Sequence, residues 1–176
     1  MSRLNVDQIY TRTGTGTPAL REMPAFFALR NGNKSLTAGS WGTSDLNAVI
    51  FDTNSWYDAT TNYRYTPQIA GYYQFSSSLY LRATSGMTQI ACGIAKNGTS
   101  SIGIFGDFCY PGSAASGSCS VNGLLYMNGS TDYVESVCYT TGSSPYLDGT
   151  GSGGLTLGTV GVFYSSFISG FLVRPD

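Results

Sequence analysis

The chain of 176 residues is 41% hydrophobic but only 11% charged, with a formal net charge of −1. Its nine basic residues are scattered from Arg3 to Arg174, and without a cluster of cations to displace phosphate counterions the chain is not a nucleic-acid binder. The absence of histidine removes the Ser-His-Asp triad, the His-activated cysteine and the H-E-x-x-H zinc site together.

The first eighteen residues differ from the rest. Leu4, Val6, Ile9 and Tyr10 dot an otherwise polar run, and Thr11 to Pro18 is linker chemistry of Thr, Gly and Pro. Such a piece cannot order itself against its own conformational entropy. Residues 1–18 are therefore expected to be an anchoring arm and linker, with Leu4, Val6, Ile9 and Tyr10 as anchors, or else a frayed tail. The N-terminus lacks the apolar core of a secretory signal, and no run approaches the ~20 apolar residues of a membrane helix. The expected site of synthesis is a cytosol, with no membrane partner.

Residues 19–176 then alternate strand-like segments with turn signals. Pro24–Leu29 is followed by Asn31-Gly32-Asn33, and Ala48–Phe51 by Asp52-Thr53-Asn54-Ser55. A long strand over Tyr72–Arg82 ends at Thr84-Ser85-Gly86. Thr88–Lys96 runs into Asn97-Gly98, and Ser118–Met127 into Asn128-Gly129, both hairpin signals. The same Asn-Gly pairs begin glycosylation sequons, but they read better as turns. Ile102–Tyr110, Tyr133–Tyr139 and Leu155–Val173 supply the remaining strands. Eight to ten evenly spaced strands without a helical period predict an all-β antiparallel sandwich or barrel.

Little chemistry stands out along this chain. Gly149–Gly154 formally matches G-x-G-x-x-G, but no helix follows to receive a pyrophosphate. Asp132 and Glu135 lie three apart on a strand start, so they point to opposite faces and read as solvated turn residues rather than an acid–base pair. Asp45, Asp52 and Asp58 have no specific calcium spacing. No cofactor, no metal and no enzymatic activity are expected. Cys92, Cys109, Cys119 and Cys138 form no C-x-x-C motif. They read as buried thiols on strands, or as one or two disulfides formed after release, with Cys109–Cys119 the pairing that would close the Pro111–Gly117 loop.

A family resemblance is carried by several stretches in order. Phe51-Asp52-Thr53-Asn54, Tyr57-Asp58 and Tyr65-Thr66-Pro67-Gln68-Ile69-Ala70-Gly71-Tyr72-Tyr73-Gln74-Phe75 resemble the signature of the complement globular-head domain. Ile94-Ala95-Lys96-Asn97-Gly98 is similar to its hairpin, Leu124–Val134 to its following strand and turn, and Ser166–Val173 to its closing strand. Ser130 and Thr131 lengthen one turn, Tyr65 replaces the usual Phe, and no collagen repeat precedes the domain. The resemblance implies a jelly roll of the tumour-necrosis-factor type, assembled as a homotrimer. Leu4 to Gly16 separately resembles the start of tailed-bacteriophage virion proteins.

The long strand doubles its apolar faces. Tyr73, Phe75 and Leu79 on the odd face are expected in the core with Phe51 and Phe171. Tyr72, Gln74, Ser76 and Tyr80 on the even face are expected at a trimer interface, because an uncharged face bracketed by Tyr suits a partly polar contact. On the last strand, Phe167, Phe171 and Val173 are expected inward, and Ile168 and Leu172 toward a neighbouring subunit.

Three functional expectations follow. The first is a bacteriophage virion structural protein, assembled in the host cytoplasm: a trimeric capsid-decorating knob or head fibre docked on the major capsid protein, or another virion protein, by the arm. The second is a tail-fibre tip or receptor-binding protein, with Trp41 and Trp56 stacking a host-surface glycan. The third is a soluble complement-head-like binding ligand.

Overall fold

The computed structural model describes residues 23–98, 102–109, 114–149 and 166–176. Its strands, in chain order, are β1 (Ala25–Leu29), β2 (Lys34–Ser35), β3 (Gly42–Thr43), β4 (Ala48–Asp52), β5 (Tyr57–Asp58), β6 (Arg64–Tyr65), β7 (Ala70–Met87), β8 (Ile90–Lys96), β9 (Ile102–Cys109), β10 (Ala114–Asn128), β11 (Val134–Thr140), β12 (Tyr146–Leu147) and β13 (Phe167–Pro175). They form two antiparallel sheets packed face to face. The larger sheet runs β2-β12-β7-β13-β1-β4, with β10 on the other edge of β7. The smaller runs β5-β6-β11-β8-β9, with β3 also on β11. The strand pairing is that of a jelly roll.

β7 organises the molecule. It is 18 residues long, several times an ordinary strand, and pairs with β10 along one edge and with β13 and β12 along the other. Its alternation separates two environments. Gly71, Tyr73, Phe75, Ser77, Leu79, Leu81 and Ala83 are buried, whereas Tyr72, Gln74, Ser76, Ser78, Tyr80 and Arg82 are exposed or half-buried.

The buried face meets the smaller sheet through stacked aromatics. Phe26 lies on Tyr65 with ring centroids 4.1 Å apart, and Tyr73 on Phe75 at 6.0 Å. Leu79, Leu81, Ile90, Ile94, Met127, Val134 and Leu147 extend the core. A seam of buried hydroxyls crosses it: Ser136 Oγ bridges Ser44 Oγ at 3.1 Å and Ser77 Oγ at 2.9 Å, and Ser77 Oγ donates to the Phe167 carbonyl. Each hydroxyl thus finds a partner away from water, which makes its burial tolerable.

Both Asn-Gly pairs are turns. Asn97 has φ 60 and Gly98 φ 116. Gly129 has φ 69, and a side chain there would strike the backbone of Ile69 and Ala70, so the position requires glycine. The inserted Ser130 and Thr131 are held by Asn128, whose Oδ1 accepts the backbone N–H groups of Ser130, Thr131 and Asp132.

Asp132 and Glu135 correct the expectation of solvated turn residues, because both are mostly buried. Asp132 accepts from Lys96 at 2.7 Å, Asn97 Nδ2 at 2.8 Å and Asn128 N at 3.0 Å. Burial alone would push its carboxyl up, but these donors together hold it below the usual carboxylate range. It closes the turn and pins two hairpins together.

Candidate binding face

The register of the large sheet assembles its outer surface row by row. Tyr126, Tyr72 and Arg174 form the first row, and Leu124, Gln74, Phe171 and Ala25 the second. Asn122, Ser76, Ser169, Phe27 and Phe51 form the third. Ser120, Ser78 and Phe167 follow, then Ser118 and Tyr80.

Apart from Arg174 and Gln74, the first two rows are apolar, and their large side chains are open to solvent. Tyr72 is 51% exposed, Leu124 55% and Phe171 50%, with Val173 and Tyr126 also exposed. Tyr72 and Tyr126 meet edge to face. Phe27 stacks on Phe167 at 5.1 Å and approaches Phe51 at 6.5 Å, extending the aromatic surface to the β4 edge. Between these aromatic ends lies an uncharged field of Ser76, Ser78, Ser120, Asn122 and Ser169. Among the described residues, charge stands only at the ends of the face. At one end Arg174 lies near Asp176, which accepts the Tyr126 hydroxyl at 2.9 Å and pushes that phenol up. At the other, Arg82 reaches Asp148 at 3.4 Å and lies over the Tyr146 ring.

An apolar patch rimmed by polar groups has the composition of surfaces through which proteins associate. Chemically the face offers aromatic and aliphatic packing with a hydroxyl and amide interior. It offers no nucleophile–base pair, and among the described residues no group of His, Cys, Asp or Glu could hold a metal ion. Asp45 pairs with Lys34 and Thr43, Asp52 accepts from Asn54 N and Tyr57 N, and Asp58 caps Thr60, Thr61 and Asn62.

Of the residues expected at an interface, Tyr72, Gln74, Ser76 and Tyr80 lie on this outer face. Ile168 and Leu172 do not, and this corrects their assignment: both are buried inside the protomer. Phe51 and Phe171, expected in the core, are half exposed, and Val173 also points out. The cause is register. β13 sets Ile168 opposite Ser77, Gly170 opposite Phe75 and Leu172 opposite Tyr73, so these three share the inner face of β7, and a shift of one residue exchanges every side chain. Gly170 is the marker, since a Cβ there would sit 2.5 Å from the Phe75 ring. Phe51 follows Phe27, its partner across β4 and β1, to the outer surface.

Tyr73, Phe75 and Leu79 are fully buried. Leu4, Val6, Ile9 and Tyr10 lie outside the described residues, as does most of the Gly149–Gly154 loop. The reading of the sequence missed Leu124, Tyr126 and Phe27. The available signal was the pair of apolar parities in Leu124-Leu125-Tyr126-Met127, where Leu125 and Met127 pack inward and Leu124 and Tyr126 point out. Trp56 packs on the core near Tyr65, and Trp41 lies beside Tyr139.

The fold is an all-β jelly roll of the tumour-necrosis-factor and complement-head kind. A solved structure of murine APRIL at pH 8.0 superposes with a TM-score of 0.56 at 8% identity, over 86% of this chain and 100% of that one. Eiger TNF from S. frugiperda gives 0.58 at 13% identity, over 89% of this chain and 96% of that one. No family model matches the chain, and no curated protein matches it in sequence.

These likenesses correct the first two functional expectations. These two structures share the architecture over nearly their whole length, and they are APRIL and a tumour necrosis factor rather than capsid or tail proteins. The virion location, the capsid or virion partner and the host-surface glycan are withdrawn with that reading. The short stretch that resembled phage proteins lies within residues outside those described.

Proposed function

We propose that the protein is a non-catalytic homotrimeric ligand of the tumour-necrosis-factor type that acts outside the cell by engaging a receptor. The observation that carries this reading is the outer face of the large sheet, where Tyr72, Leu124, Tyr126, Phe171 and Val173 stand exposed on a single protomer. Self-association about a three-fold axis dries that face and leaves the loops and the smaller sheet for a partner. The likeness to Eiger TNF and APRIL supports the ligand class. An obligate trimer of this kind buries roughly 2,000 Å² or more in total. Three identical protomers then present three copies of one receptor-binding surface, so each weak contact is multiplied by avidity.

The test is binding of the fluorescently labelled protein to intact cultured mammalian and insect cells, beside the Phe171→Arg variant. Saturable, protease-sensitive binding, weakened about 100-fold or more when the trimer is lost, is expected. Binding that never saturates, or that is unchanged in a monomeric variant, contradicts the proposal.

A further inference from the structure

Two of the cysteines face each other. Cys138 on β11 is the direct partner of Cys92 on β8, both are buried free thiols, and both belong to the core between the sheets. The ladder on either side fixes what kind of pair they are. Thr141 N donates to Gln89 O at 3.1 Å, and Asn97 N to Tyr133 O at 3.0 Å. Hydrogen-bonded pairs recur every second residue from those two points, so Cys138 and Cys92 fall on a non-hydrogen-bonded position. There the Cα atoms of an antiparallel pair approach to about 4.5 Å, within the roughly 4.4–6.8 Å that a disulfide spans.

We infer that Cys92 and Cys138 join as a cross-strand disulfide when the chain folds in the presence of a low-molecular-weight disulfide, and stay a dithiol when it folds in a reducing medium. The thiolate of one cysteine attacks the small disulfide, expelling one thiolate and leaving a mixed disulfide. The second cysteine attacks the protein sulfur of that mixed disulfide and expels the other thiolate. The two cysteine protons end on the two released thiols, so the small disulfide gains two electrons and the protein loses two. Closure belongs to the folding chain. Once the sheets have met, burial pushes the Cys138 thiol up to about 11 despite the nearby Ser44 hydroxyl and Lys34 ammonium, and a neutral buried thiol is a poor nucleophile. A pocket of about 190 Å³ beside Lys34, Trp41 and Thr140 has Cys138 in its wall. This pairing does not rest on the ligand reading and is decided in vitro whatever the outer face binds.

The full chain is refolded in parallel in excess oxidised glutathione and in reductant, alkylated, digested and weighed. After oxidative refolding, the Cys92 and Cys138 peptides are expected joined and lighter by two hydrogens, with Cys109 and Cys119 alkylated. Closing this roughly 45-residue loop is expected to raise the melting temperature by about 10 °C over the reduced protein. A Cys92→Ala/Cys138→Ala variant, checked for β-sheet content by circular dichroism, should show equal melting in both media. Four alkylated cysteines after oxidative refolding, or a Cys109–Cys119 link in its place, would overturn the inference.

Discussion

Tyr72 and Tyr126 stand opposite one another on β7 and β10, their ring centroids 5.4 Å apart and their planes 65° from parallel. Both rings project from the solvent side of the sheet, so the contact forms an aromatic ledge rather than part of the protomer core. With Leu124, Phe171 and Val173 it makes the surface on which self-association is proposed.

That surface separates two substitutions at adjacent positions. Phe171→Arg places a charge on the outer face and is expected to give a folded protomer that no longer associates, because an unpaired charge would be buried at the contact. Leu172→Arg places it in the core beside Tyr73 and is expected to abolish folding. Circular dichroism with light scattering on both variants checks the parity of β13, and a folded Leu172→Arg monomer would reverse it.

Among the described residues, one buried phenol has no hydrogen-bond partner. Tyr57 donates to Leu46 O and Tyr73 to Ile69 O, each at 2.9 Å. Tyr65 Oη is buried with no hydrogen bond among the described residues. Tyr65→Phe removes an unsatisfied donor while keeping the ring on Phe26. It is expected to raise stability by about 1 kcal/mol, seen as a higher denaturant midpoint with unchanged slope.

Ser136 gives the opposite result. Its hydroxyl joins Ser44 and Ser77 across the sandwich, so Ser136→Ala removes one buried hydrogen bond from each, while Ser77 keeps its bond to the Phe167 carbonyl. A loss of about 1–3 kcal/mol is expected in urea unfolding. A neutral substitution would mean that the hydroxyl seam contributes nothing.

Glu135 provides a pH signature. It lies mostly buried opposite Arg64 and Ala95. Burial pushes its carboxyl up, Arg64 pulls it partly back, and Asp45 adds to the rise. A folded pKa above the unfolded value of about 4.3 gives stability that is full below that value and lost as pH rises through the folded one. Glu135→Gln removes this loss. The two proteins are expected to unfold alike at pH 4, with the variant more stable at pH 7. A less stable variant at pH 7 would assign Glu135 a net favourable ion pair.

The sheet architecture was legible because β7 alternates cleanly and Asn97-Gly98 and Asn128-Gly129 mark their turns. The parity of β13 was not. Phe167-Ile168-Ser169-Gly170-Phe171-Leu172-Val173 carries large apolar residues at both parities, and only the pairing with β7 shows that Gly170 must face Phe75. Phe51 was unreadable for a related reason: an apolar residue on an edge strand looks like core until its partner, Phe27, is seen to lie on the outside. Asp132 looked solvated because a turn acid usually is, and its burial depends on Lys96 and Asn97 arriving from another hairpin. The Cys92–Cys138 pairing needed the β8–β11 register, which no local spacing reveals.

The most direct test is the mass of the native particle by sedimentation equilibrium at micromolar concentration, paired with solvent labelling of Tyr72 and Tyr126. The expected particle has three times the 18.7 kDa protomer mass, with both tyrosines protected until Phe171→Arg releases them. A native species at the protomer mass, with both tyrosines freely labelled, would contradict the account.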